Sequence, residues 1–478
     1  MHRSLVLTAS LLVLSLLRLA PAASAAACHP DDESGLLGFK SGITADPSGM
    51  LASWKKGSDC CQWFGITCLT GPRVTALSLV GRPGNLTTSL SGKISPSLSK
   101  LKFLDSIYLQ DLNNLTGPFP DFIFTLPNFL IIYIENNKLS GPIPARIGNL
   151  TQLIAFSVEG NRFSGPIPSS LGNLGQLSQL KLGGNRLSGA IPATLSRLSN
   201  LTLLSLDRNQ LSGPIPDIFP GLTSLISLSF SHNKLTGKIP NSLSILAPKL
   251  RFLELGHNSL SGAIPGFLGK FQALDTLDLS WNNYTGPVPK SFANLTKIFN
   301  LDLSHNRLTD PFPAMNVKGI ESLDLSHNLF NLGSIPKWVI SSPIIYSLKL
   351  AKCGLKIKLD DFRPVQTYFY DYIDLSENEI TGSPVQLVNR TDYLVGFYAS
   401  GNKLRFDLGS LRFSKRLRYL DLSRNMIYGK VPKAVSGLSK LNVSSNQLCG
   451  ALPPNKFPAA SFAGNKCLCG SPLAPCKA

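Results

Sequence analysis

The chain is expected to fold as an α/β solenoid: a curved right-handed superhelix with a concave parallel β-sheet and disulfide-capped ends. Three observations predict this. An asparagine recurs at Asn137, Asn161, Asn185, Asn209, Asn233, Asn258, Asn282, Asn306, Asn328, Asn378, Asn402, Asn425 and Asn446, mostly 24 residues apart. Around it the pattern LxxLxLxxNxLxGxIP repeats, as in "LSQLKLGGNRLSGAIP" and "LRFLELGHNSLSGAIP". A fixed period of this length is the signature of stacked repeats rather than of separate domains. Finally, eight of nine cysteines sit in two groups of four at the chain's ends.

Taken in chain order, the sequence opens with His2 and Arg3, an apolar run from Leu5 to Leu17, and the small-residue stretch "PAASAAAC". These are the three parts of a secretory signal, with cleavage expected between Ala25 and Ala27. The run is too short to span a bilayer, which takes ~20 apolar residues. No second long apolar run follows, so a soluble, secreted protein without a membrane span is expected. Residues 1–26 are read as the signal and 27–73 as a cysteine cap.

Residues 74–446 form the solenoid, with about 15–16 repeats by the period of the pattern. LxxLxLxx makes a short strand whose leucines point inward while the intervening residues face solvent. One coil cannot bury its leucines alone, so neighbours share a continuous core. The glycine and proline of GxIP favour extended backbone over a long helix on the convex side. Asn113 extends the series upstream through a one-residue insertion, and a degenerate first repeat starts near Val74. Between Asn328 and Asn378 the series calls for a residue 25 from each, and that position is Cys353. This lone cysteine is read as a buried rung of the asparagine ladder, since no histidine lies near enough to activate it.

The ends of such a stack would expose core leucines. Cys28, Cys60, Cys61 and Cys68 therefore read as one cap, and Cys449, Cys467, Cys469 and Cys476, within 447–478, as the other. Each group allows three pairings. Asp31–Ser53 is expected to form a helical lid. Asn85, Asn114, Asn149, Asn200, Asn283, Asn294, Asn389 and Asn442 are glycosylation sequons, which suits an exported chain.

The repeat LxGxIP and the leading segment "DDESGLLGFKSGITADPSGMLASWKKGSDCCQWFGITC" resemble the plant-specific class of secreted leucine-rich-repeat proteins. The likeness covers nearly the whole mature chain. It implies the pairing Cys28–Cys60, Cys61–Cys68, Cys449–Cys467 and Cys469–Cys476. It also implies a free protein of the apoplast or cell wall, similar to polygalacturonase inhibitors and disease-resistance-like proteins. The chain departs from that pattern where "DPFP" replaces GxIP after Asn306 and where Cys353 to Gln386 lacks it, and it has more repeats than those inhibitors.

Function is expected to lie in recognition rather than catalysis. Glu254, Asp278, Asp302, Asp324, Asp374 and Asp421 repeat at the centre of LxL, and strands ~4.8 Å apart would bring neighbours near the ~5 Å spacing of a retaining glycosidase. Nothing in the column separates an acid from a nucleophile, so the chain is read as no enzyme and as needing no cofactor. His232, His257, His305 and His327 each precede a ladder asparagine; they are read as part of the repeat, and no metal is assigned to them. Trp281 interrupts their column. Phe252, Glu254, His257, Asp278, Trp281, Phe299, Asp302 and His305 form the expected patch for an extracellular protein ligand, such as a microbial hydrolase or a plant receptor.

Net charge is +18. Ten basic residues fall between Lys403 and Lys440 against Asp407 and Asp421. Arg412, Lys415, Arg416 and Arg418 are the expected polyanion-binding residues, with pectin as the partner; secretion and the lack of any nucleic-acid motif argue against nucleic acid.

Overall fold

The structure is a computed structural model that describes residues 28–476 except 70, 127, 318 and 366–368. The expected signal, 1–26, lies outside the described residues. No described helix is long and apolar enough to cross a membrane.

The inward leucines of LxL build the expected sheet. Among the described residues seventeen strands follow one another, from Ile66–Thr67, antiparallel to Ala76–Val80, to Lys440–Asn442. Every later step is parallel and in register, as in Leu253↔Leu277↔Leu301. The two end strands each pair on one side, so the sheet is open. Side chains alternate strictly: Leu277 and Leu279 are fully buried, while Asp278 between them faces the concave surface.

LSGxIP builds most of a second sheet of eleven strands, which runs from Ile43–Ala45, antiparallel to its neighbour Leu90–Lys93, through parallel pairings to Arg307–Thr309. Gly165 in this motif has φ +81°, a left-handed turn open to glycine without a Cβ penalty. After it the proline holds extended backbone (Pro168, φ −62°) and a five-residue 3₁₀ helix follows, Ser169–Asn173. The convex side is thus made of 3₁₀ turns. The second sheet stops where Asp310 replaces the turn glycine, and two short α-helices lie beyond that point, Lys337–Ile340, directly after the GSIP of residues 333–336, and Val385–Asn389.

The asparagines hold the coils together. Asn282 donates from Nδ2 to the carbonyls of Leu255, Leu279 and Ser280 at 3.0, 3.3 and 3.0 Å, and its Oδ1 accepts from the Leu260 N–H at 2.9 Å. Cys353 occupies the same rung, wholly buried, with Sγ 3.4 Å from the Leu325 carbonyl and 3.6 Å from that of Ala351. Burial pushes its thiol well above the ordinary range. Sequence reading missed a further rung at Asn465, inside the C-terminal cap. It donates to the Val443 and Phe462 carbonyls and accepts from the Leu448 N–H. Its spacing of 19 residues from Asn446, shorter than any other step, hid it.

The lid differs from expectation. Its helix covers only Pro30–Ser41, with proline in the first turn, Asp31, Asp32 and Glu33 at the positive end of the dipole and Lys40 in the last turn. Gly42 ends it, and Ile43–Ala45 then adds an antiparallel strand to the second sheet. Leu36 and Phe39 cover the first coil, and buried Asp32 pairs with Arg73 at 2.9 Å. The disulfides are Cys28–Cys60, Cys61–Cys68, Cys449–Cys467 and Cys469–Cys476, with Cys353 free.

Candidate functional site on the concave face

Each concave strand ends in a residue that turns the chain toward its ladder asparagine. That residue is left-handed in every central repeat: φ is 55° at His232 and His257, 50° at Trp281, 53° at His305 and 56° at His327. Its N–H is held by the next coil, as Trp281 N is by the Ser304 carbonyl at 2.9 Å. Identical backbone on adjacent strands aims successive side chains the same way, so aromatic rings at this position meet face to face.

They form one stack. Ring centroids lie 4.0 Å apart for His232–His257, 5.3 Å for His257–Trp281, 3.7 Å for Trp281–His305 and 4.4 Å for His305–His327, all within 19° of parallel. Trp281 therefore continues the histidine column instead of interrupting it, and it packs between two imidazoles. It remains 49% exposed. Sequence reading found the column but not the stack; the shared position one residue before the asparagine was the signal. Burial, then the neighbouring imidazole, holds His232 and His305 below the ordinary histidine value, so these rings are harder to protonate than a free imidazole.

Beside the stack runs a lane of carboxylates in register, Glu254↔Asp278↔Asp302↔Asp324. Asp278 and Asp302 each accept from the backbone N–H and hydroxyl of the serine two residues on. Asp302 is pushed up to about 7, first by burial and then by Asp324 and Asp278 on either side. Glu254 is also raised, chiefly by burial. Lys349 closes the lane with an ion pair to Asp324 at 3.3 Å. Phe252 and Phe299 lie nearer the strand starts; Arg251 sits over the Phe252 ring at 5.5 Å and pairs with Asp275 at 3.3 Å. The eight residues of the expected patch thus lie on three adjacent strands and their flanking turns.

Arg412, Lys415, Arg416 and Arg418 are all exposed, but on the loop leading into the strand Tyr419–Asp421, outside the concave sheet. Arg416 lies 4.1 Å over the Tyr393 ring, and Arg418 folds back onto the Lys415 carbonyl at 2.8 Å. Two other cations of the stretch are paired, Lys403 with Glu379 at 2.8 Å and Arg424 with Glu377. Among the sequons, Asn149, Asn200, Asn283 and Asn294 are exposed, and Asn85 and Asn114 half-buried. Asn389 is engaged through both amide atoms, by the Ser410 carbonyl and the Arg412 N–H. Asn442 lies in the concave column, 3.2 Å from Asp421.

Comparison with known proteins shows what these features are similar to. Residues 29–69 match the leucine rich repeat N-terminal domain, and 152–174, 200–222, 224–246, 248–308 and 416–438 match leucine rich repeat models. Curated relatives include polygalacturonase inhibitor 2 of Arabidopsis thaliana, 40% identical over 113 residues, 22% of this chain and 34% of that protein. Polygalacturonase inhibitor 1 of Phaseolus vulgaris is 37% identical over 112 residues, 22% and 33% of the two. The matched stretch spans about a third of the length of these relatives. Among solved structures, the ectodomain of the Arabidopsis receptor kinase HAESA in complex with a peptide hormone ligand is 26% identical. It aligns with a TM-score of 0.58 over 94% of this chain and 99% of that one. A Leptospira interrogans leucine-rich-repeat protein is 28% identical, with a TM-score of 0.51 over 76% and 83%.

Proposed function

We propose that this chain, a leucine-rich-repeat protein by its domain matches and its fold, is an extracellular recognition protein of the plant apoplast or cell wall. It binds a protein ligand on the concave face in defence or signalling, and inhibition of a microbial pectinase is a candidate activity. The observation that carries the reading is the half-exposed Trp281 at the centre of a five-ring stack beside a carboxylate lane. A tryptophan held rigid by two neighbours loses little entropy on binding and offers a large apolar edge with one N–H donor, which suits an interface hot spot. The polygalacturonase inhibitors and the hormone-bound ectodomain support the class of partner, a protein or peptide.

The test begins with crosslinking mass spectrometry of the glycosylated protein in wall extract, and with a fungal polygalacturonase as defined probe. Trp281→Ala keeps the backbone intact and should weaken binding of the captured partner by at least ~2 kcal/mol. Binding as tight as wild type would exclude this patch as the centre of recognition. A second reading, a wall-anchored structural protein held to pectin by its basic surface, draws on Arg412, Lys415 and Arg416, which are exposed on a loop outside the concave sheet.

A further inference from the structure

The concave row that contains Phe252 has a gap in it. In register across adjacent strands this row reads Gln179, Leu203, Ser227, Phe252. Ser227 is the small member, so Leu203 and Phe252 face each other across two strand spacings, about 9–10 Å. In the next row Ser205 and Ser229 are also small and precede Glu254. The result is a cavity of about 300 Å³ floored by Ser227 and walled by Leu203, Ile226 and Phe252, with Thr202 and Glu254 at its margins. Ile226 is 41% exposed although it heads a strand in the middle of the sheet. Gln179, at the far side, is already used: its Oε1 accepts from the Tyr133 hydroxyl at 2.8 Å.

We propose that this cavity is an anchor pocket for one aromatic side chain carrying an O–H or N–H donor, a tyrosine or tryptophan of the bound protein. The inference rests on the recognition reading above and names the chemistry of one contact. The walls are three apolar side chains, which reward a ring of matching size. Glu254 is the one carboxylate at the margin. Ser229 beside it takes part of its hydrogen-bonding capacity and leaves the rest for a donor that enters with the ring. Asp207 and Asp278 add negative potential at the same point, so an entering carboxylate is repelled. A ring without a donor would desolvate Glu254 and leave it unsatisfied, a loss that buried acceptors impose on any apolar occupant.

The test uses the isolated protein and three probes: N-acetyl-L-tyrosinamide, N-acetyl-L-phenylalaninamide and N-acetyl-L-lysinamide, titrated by calorimetry or saturation-transfer NMR. The tyrosine probe should bind saturably in the millimolar range, at least about five-fold more tightly than the phenylalanine probe, the least that one hydrogen bond to the carboxylate supplies. Leu203→Trp should fill the pocket and abolish binding; Ser227→Trp fills it from the floor and gives the same answer should the first variant misfold. Glu254→Leu should bring the tyrosine-to-phenylalanine ratio to about one by removing the acceptor. Equal binding of the two aromatic probes to the wild type, tightest binding of the lysine probe, or binding that survives both tryptophan variants would overturn the proposal. Probe binding reports the pocket and capture of the protein partner reports the recognition patch, so failure of the one and failure of the other are read from different measurements.

Discussion

Asn282→Ala should destabilise the centre of the solenoid by about 2–3 kcal/mol, the cost of orphaning a single buried amide. Four hydrogen bonds are lost, but they are not equivalent. The three carbonyls each keep a second partner: Leu255 O accepts from Asn258, Leu279 O from Asn306, and Ser280 O from the His257 N–H. Only the Leu260 N–H, in a fully buried residue, is left without its acceptor. Asn282→Asp should therefore be worse than alanine at neutral pH. It restores an acceptor for Leu260 but turns a carboxylate toward three carbonyls in a buried site. Because coils contact only their neighbours, damage should be local. Hydrogen exchange read on peptides covering residues 252–309 should rise, while peptides near the caps stay protected, and urea melts give the free energy. If alanine costs more than aspartate, or exchange rises evenly along the chain, the rung does not work as its hydrogen bonds indicate.

The Cys353 thiol, buried and held protonated, should not react with a disulfide reagent in the folded protein. One thiol per chain should react in denaturant, and nonreducing peptide mapping should return the four cap bridges; reactivity in the native state would contradict its burial. Asp302 gives a pH test. Its folded value of about 7 lies above the unfolded ~3.9, so between those values the folded state holds a proton that the unfolded state has lost. Stability should fall as pH rises through that window, and Asp302→Asn should remove up to one proton's slope, about 1.4 kcal/mol per pH unit; urea melts at several pH values that show no change of slope would refute this. Reversing Arg412, Lys415, Arg416 and Arg418 to glutamate should lower the salt at which the protein leaves a pectin column, and coincident elution would exclude that loop as an anchor.

Much of the architecture was legible because a solenoid is nearly one-dimensional. A period in sequence becomes a period in space, so the LxL strands, the periodic ladder asparagines and the substituted rung at Cys353 could be placed without knowing any long-range contact. The breaks were legible too: the second sheet ends where Asp310 stands in place of a turn glycine. Departures from the period were harder. The lid helix stops at Ser41 because Gly42 caps it and Ile43–Ala45 finds an edge strand to pair with, a contact no local pattern encodes. The rung at Asn465 fell outside the spacing, although it spans coils as Asn282 does, donating to two carbonyls and accepting from a leucine N–H.

At the candidate site, sequence alone determined which residues share a column: four histidines and Trp281 before the asparagine, carboxylates between the leucines. It could not say what those columns do to each other. Whether adjacent rings stack or splay depends on a left-handed φ repeated within a few degrees from 50° to 56° on five strands, and on the hydrogen bonds that lock it. Whether neighbouring carboxylates ionise freely depends on how much water the curved face leaves them, which lifts Asp302. The pocket between Leu203 and Phe252 exists only because a serine falls between two large side chains on different strands. A column is a property of one chain's register; a stack, a shifted proton and a cavity are properties of the space between coils, and only packing the coils against one another decides them.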